Sequence, residues 1–226
     1  DRVQAVIETG VLRSIAKILA HETHQSPALR AIGNILTGDS AHTDDALKAG
    51  VLPELEKLLG HTRRIMRKEA CWAISNISAG TKVQVEALLC TEIPNKIFEM
   101  ACSPNNTYEI KKECAWVIKN ISAQGSVEHL EHIVDVGALQ ATIALLNTGD
   151  MYWRLIPTAL ECLDHILGVG QDIKVNKESH GQVADNVFAK KFQELDGADL
   201  LQRIQEIENE EIYDLAFNLM NTYYTR

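Results

Sequence analysis

The sequence predicts an all-α solenoid of stacked helical repeats, and three observations carry that prediction. One apolar phrase recurs at intervals of 40 to 45 residues, a second phrase recurs in step with it, and the composition favours helix over sheet. Only 5% of the 226 residues are aromatic and five are Pro, which suits helices better than a β-sandwich. Hydrophobic residues make up 46%, enough for one large core or an elongated array.

The first phrase is a turn residue followed by an apolar helix ending in paired large residues. It reads Gly10-Val-Leu-Arg-Ser-Ile-Ala-Lys-Ile-Leu, then Gly50-Val-Leu-Pro-Glu-Leu-Glu-Lys-Leu-Leu, then Gly137-Ala-Leu-Gln-Ala-Thr-Ile-Ala-Leu-Leu. A degenerate copy opens at Glu92 and a late one at Gly197. The first four starts are 40, 42 and 45 residues apart. The second phrase holds Asn34, Asn76 and Asn120, 42 and 44 residues apart. Two phrases sharing one period point to repeats that stack to bury a face none can bury alone. Short leading helices are predicted over 3–8, 43–48, 83–90 and 127–136, and three helices per unit point to armadillo rather than two-helix HEAT repeats. The expected architecture is an armadillo-repeat right-handed superhelix over 1–226, with repeats at about 1–40, 41–81, 82–125, 126–170 and 183–226. Turns are expected at Ser26-Pro27, Gly80-Thr81, around Ser103-Pro104 and at 147–149. Polar residues 168–191 read as a loop with a helix over 183–192, and 195–224 as a cap with a polar outer side.

The second phrase carries the chemistry. Glu, Trp and Asn stand at offsets 0, 3 and 7 in Glu69, Trp72, Asn76 and again in Glu113, Trp116, Asn120. That spacing places each set on one helical stripe, while Ala70, Ile74 and Ile77 fall on a core-facing side. Stacked repeats would set the stripe on one continuous surface. An Asn amide can pair with a peptide N–H and C=O whatever the peptide's side chains are. Two indole walls make a slot for an alkyl stem, and a cation over an indole face gains roughly 0.5–2 kcal/mol. A neighbouring Glu adds about 0–1 kcal/mol per pair, so affinity would come from several repeats together. A single mid-helix Trp is ordinarily core and a single Asn ordinarily a helix-end residue; two sets in phase point to a surface for Lys/Arg-rich peptides.

The remaining chemistry is sparse. The net charge of −9 suits a basic ligand or simple solubility, and argues against nucleic acid or an anionic membrane as the main partner. No apolar run reaches the ~18–20 residues that span a bilayer. Cys71, Cys90, Cys102, Cys114 and Cys162 form no Cys-x-x-Cys and read as buried free thiols in a reducing compartment. The pairs His21/His24 and His129/His132 lack a completing carboxylate and read as solvated faces. There is no Gly-x-Ser-x-Gly elbow around Ser75, Ser78 or Ser122 and no Gly-rich phosphate loop. No enzyme, cofactor or metal is therefore expected. Arg63, Arg64, Arg67 and Lys68 read as an exposed basic rim, and 206–211 as a solvated acidic turn or a partner-facing one.

At Pro27–Asp39, Lys68–Gly80 and Lys112–Asn120 the sequence resembles importin-α (karyopherin-α), the adaptor for nuclear localisation signals. The resemblance covers almost the whole chain and points to repeats six to ten of the family's array, the half with the minor signal-binding site. By that resemblance Trp72 and Trp116 are wall-forming tryptophans, and Asn34, Asn76 and Asn120 backbone clamps. Arg30 stands at the Trp place one repeat earlier, and Thr43, Glu69 and Glu113 are further peptide contacts. The resemblance implies shuttling between cytoplasm and nucleus. It also implies contacts of the last repeats with an export receptor and a nuclear-pore protein, and importin-β docking on an N-terminal segment absent from this sequence. The opening residues already read as an amphipathic helix, so the chain is read as a piece of something longer. Lys119 departs from the pattern, since a second cation would oppose a basic peptide. Glu161 and His165 take the Trp and Asn places in the next unit, where the array of clamps is expected to end. The alternative reading is a β-catenin-type scaffold for other linear motifs, which would need a net positive groove.

Overall fold

The computed structural model describes residues 2–21 and 23–224. The chain divides into two compact units, Asp1–Ile97 and Phe98–Arg226, with the division inside one helix. Among the described residues every regular element is helical.

The first unit begins with α1 (Arg2–Glu8), α2 (Val11–Leu19) and α3 (Gln25–Leu36). It repeats the order as α4 (Ser40–Lys48), α5 (Leu52–Leu59) and α6 (Arg64–Ser78), then continues with α7 (Lys82–Leu89) and the start of α8 (Ile93–Cys102). The recurring glycine has a backbone reason. Gly10, Gly50 and Gly137 all hold positive φ (75°, 83° and 117°) at the corner between a short helix and the next one. Side chains with a Cβ rarely tolerate that region. In the late copy the left-handed corner falls on Asp196 (φ 59°), one residue before Gly197.

The short helices start on caps that keep the same period. Asp39 accepts from the His42 N–H, and Thr81 from the Gln84 N–H. Ser126 accepts from the His129 N–H in the second unit. Each satisfies a helix-start donor that would otherwise go unpaired. Gln84 is fully buried and ties α7 to α4. Its Nε2 donates to Ser40 O (2.8 Å) and Asp44 Oδ1 (2.6 Å), while its Oε1 accepts from Thr81 N (2.9 Å). Lys96 reaches Glu56 across α8 and α5 at 2.8 Å.

The core of this unit lies between the long helices α3 and α6, with α2 and α5 packed on them. Leu29, Ile32, Ala70, Ile74 and Ile77 are buried there, as the stripe argument requires. Ser26 and Pro27 lie in the first turn of α3 and not in a separating turn. Proline suits that place because it lacks only a donor that has no helical partner.

In the second unit the end of α8 is followed by α9 (Tyr108–Gln124), α10 (Val127–Asp135) and α11 (Ala138–Leu146). A 3-10 segment, Gly149–Leu155, leads into α12 (Ile156–Ser179). Then come α13 (Val187–Glu194), α14 (Gly197–Ile204) and α15 (Glu210–Tyr223). Helix α12 packs on α9, α11 and α15 and is the spine of this unit.

Two expectations change here. Residues 168–179 continue α12 where a loop was read. Their polar side chains are a solvated helix face, closed by the Lys174–Glu178 pair at i,i+4 (3.9 Å). Gly170 fits inside the helix because Asn186 and Phe188 press on it. Asn186 caps α13 by accepting from Phe188 N and Ala189 N, and donates to Leu167 O of α12 at 2.9 Å. The outer side of α15 is also less polar than read: Tyr213 and Phe217 stack there with centroids 5.7 Å apart, both exposed.

Candidate functional site

In the first unit the candidate residues gather along α3, α4 and α6. Trp72 is half-buried and lies against α3 at Gly33. A Cβ on Gly33 would stand 2.2 Å from Trp72 Cζ3, so the indole rests on bare backbone. One turn along α6, Asn76 is half-buried, yet its Nδ2 is shielded from water and has no hydrogen-bond partner. An unmet buried donor costs about 1–3 kcal/mol. Asn76 lines a cavity of about 400 Å³ with Thr43, Leu36, Ala79 and Gln84. Thr43 is 3% exposed, so a ligand reaches it only through that cavity. Arg30 and Asn34 are exposed on α3, one turn apart.

Glu69 pairs with its neighbour Lys68 at 2.8 Å, with the Glu69 side chain 13% exposed. Its charge is thereby partly offset from within the chain. Of the basic cluster, Arg63 and Arg64 are exposed, while Arg67 folds back to donate to His61 O (2.9 Å) and Thr62 O (3.0 Å).

The second unit holds the other set on α9. Ile118 and Ile121 are buried, and Trp116 is 38% exposed. Glu113 and Asn120 are half-buried and each is engaged by interactions of its own. Lys119 Nζ stands 4.9 Å from the Trp116 ring centroid and 2.6 Å from Glu161 Oε2 on α12. Ser122 Oγ lies 3.4 Å from His165 Nδ1. Glu161 and His165 therefore both engage α9. Beside Glu161, Cys162 is buried, and desolvation followed by that carboxylate's charge pushes its thiol well above the usual range.

The sequence reading passed over Trp153, which is 42% exposed on the 3-10 segment with Arg154 over its ring at 5.4 Å. It lies outside both repeated phrases; being the third of three tryptophans was its signal. The Lys119–Glu161 pair was also missed as a contact, although the residues are one repeat length apart. A cavity of about 790 Å³ in this unit, among α12, α13, α14 and α15, contains none of the candidate residues. Among the described residues no group of His, Cys, Asp and Glu could hold a metal ion, and no helix is long and apolar enough to cross a membrane.

Residues 39–79 match the family model of the Armadillo/beta-catenin-like repeat. A designed armadillo repeat protein solved in complex with the peptide (KR)4 is similar over 98% of this chain and 85% of its own, with TM-score 0.80 and 26% identity. A second, from computationally designed armadillo repeat proteins for modular peptide recognition, reaches TM-score 0.83 at 26% identity over 98% of this chain and 85% of its own. The fold is that of an armadillo-repeat protein. This armadillo-repeat chain is closely related to importin-α proteins. It is 37% identical to importin subunit alpha-4 of Arabidopsis thaliana over 99% of its own length and 41% of that protein. It is 35% identical to importin subunit alpha-1a of Oryza sativa subsp. japonica over 99% of its length and 42% of that protein. The chain thus spans about two-fifths of these curated relatives.

Proposed function

We propose that the chain is an importin-α-type adaptor whose Trp/Asn stations hold extended, Lys/Arg-rich nuclear localisation signals. The observation that carries this reading is Trp72 laid over Gly33 beside the unpartnered Asn76 amide. The indole offers a rigid wall for an alkyl stem and a face for a cation. The amide lines the open cavity, and a turn about its Cβ–Cγ bond brings the unmet Nδ2 donor out to a peptide carbonyl. Arg30, Asn34, Thr43 and Glu69 belong to this station; Glu113, Trp116 and Asn120 form the one in the second unit. The relation to importin-α subunits supports the ligand class, as does the likeness to a designed protein bound to (KR)4. The role is non-catalytic.

The same reading places the protein in traffic between cytoplasm and nucleus. It assigns the contacts with an export receptor and a nuclear-pore protein to the last repeats, and the importin-β contact to a segment outside this sequence. Trp72→Ala with Asn76→Ala tests the peptide site directly. Anisotropy of a fluorescein-labelled peptide with a Lys-Arg core flanked by further lysines should show binding weakened about tenfold or more. An unchanged Kd, with helicity intact by circular dichroism, sinks the reading.

A further inference from the structure

Lys119 is held between two groups of the second unit. Its ammonium lies over the Trp116 ring at 4.9 Å and against Glu161 at 2.6 Å. The side chains of Lys119 and Glu161 are 25% and 44% exposed, so the arrangement sits at an accessible rim. One face of the Trp116 indole therefore already carries a cation supplied by the chain. Trp72 differs in this respect. Its residue three positions on is Ser75, whose hydroxyl donates to Trp72 O at 2.9 Å and brings no charge.

We propose that Lys119 sets the specificity of the Trp116 station: the peptide residue passing nearest to it is acidic or uncharged, and Lys or Arg is excluded there. The inference rests on the peptide-binding function proposed above and adds a position-dependent preference to it. The physical reason is exchange without gain. A peptide cation over this face must displace an ammonium that already makes the same contact, or sit beside it and be repelled. Glu161 gives the newcomer little help, because its charge is already paired with Lys119. A peptide carboxylate shares the Lys119 ammonium with Glu161 and meets no like charge over the ring, and an uncharged residue leaves the ammonium where it stands. Among the described residues no cation lies over the Trp72 ring, so that ring is left to take the basic residue.

A double-mutant cycle between protein and peptide tests this. The labelled Lys-Arg peptide and its single-Glu variants at every position are titrated against the wild type, Lys119→Ser, Lys119→Gln and Glu161→Gln. In the wild type one position should accept Glu without loss of affinity. Both Lys119 variants should abolish that tolerance and tighten the parent peptide about two- to fivefold, the worth of one cation over an exposed ring. Glu161→Gln leaves the ammonium uncompensated and should weaken the parent peptide. If every Glu position costs the same with and without Lys119, while Trp72→Ala with Asn76→Ala still weakens binding, the inference is overturned and the peptide site stands. If the parent peptide does not bind, or binds regardless of Trp72 and Asn76, the function proposed above fails and this inference with it.

Discussion

Cys90 and Cys102 show how a residue's place on its element decides its chemistry. Most of the five cysteines sit in apolar helical patterns, and the sequence reads them as buried. Cys71, Cys114 and Cys162 are buried within long helices, but Cys90 is the C-cap that follows α7, Cys102 ends α8, and both are exposed. A helix end opens to solvent where the same residue type in mid-helix would face the core. The native protein should therefore offer two thiols to a water-soluble disulfide reagent, with three more reacting only on unfolding. Thiolate supply sorts them only in part: burial pushes the Cys162 thiol up and keeps it protonated, and desolvation raises the Cys102 thiol too, so Cys102 should react more slowly than its exposure alone implies. Rapid modification of more than two thiols in the native state would contradict this burial pattern.

Two contacts between helices were invisible in the sequence, and each makes a prediction. Gly33 in α3 is small because the Trp72 ring of α6 occupies the space a Cβ would need. Gly33→Ala should destabilise the chain by about 1–3 kcal/mol through overpacking. It should also shift the tryptophan emission and weaken basic-peptide binding, because the indole must move. Denaturant unfolding and peptide titration measure the two effects; wild-type values for both would show that the ring yields freely. Gln84 joins α7 to α4 through two hydrogen bonds and closes the cap of its own helix with a third, while fully buried. Gln84→Ala should cost about 1–3 kcal/mol by leaving Ser40 O and Thr81 N–H without their partner. The Thr81-x-x-Gln84 spacing marks a helix cap in the sequence, but nothing there shows the tie to α4, because those partners lie 40 and 44 residues away. The loop read at 168–179 failed for a related reason. A polar run with two glycines looks like coil until Asn186 and Phe188 are seen to seat Gly170 inside a helix.

For the whole molecule, charge sets the expected ligand response. A chain of net charge −9 binding a cationic peptide should lose affinity with salt. Raising ionic strength from about 50 to 200 mM should raise Kd several-fold, because exposed pairs are screened beyond roughly 10 Å. An acidic peptide of equal length should not bind; binding of both, without salt dependence, would favour a scaffold for other motifs.

The period by itself determined the helical repeat and the armadillo fold. Two phrases in step are enough, because a helix must bury one face and a repeat must bury that face on its neighbour. Its stripes also marked Trp72, Asn76, Trp116 and Asn120 as candidates. Only the tertiary structure decided how they stand: Trp72 on the Gly33 backbone, Asn76 with an unmet donor, and Trp116 with Lys119 over one face. Helical spacing fixes the direction a side chain leaves its own helix. What it meets there depends on residues a repeat length away, as Glu161 does for Lys119.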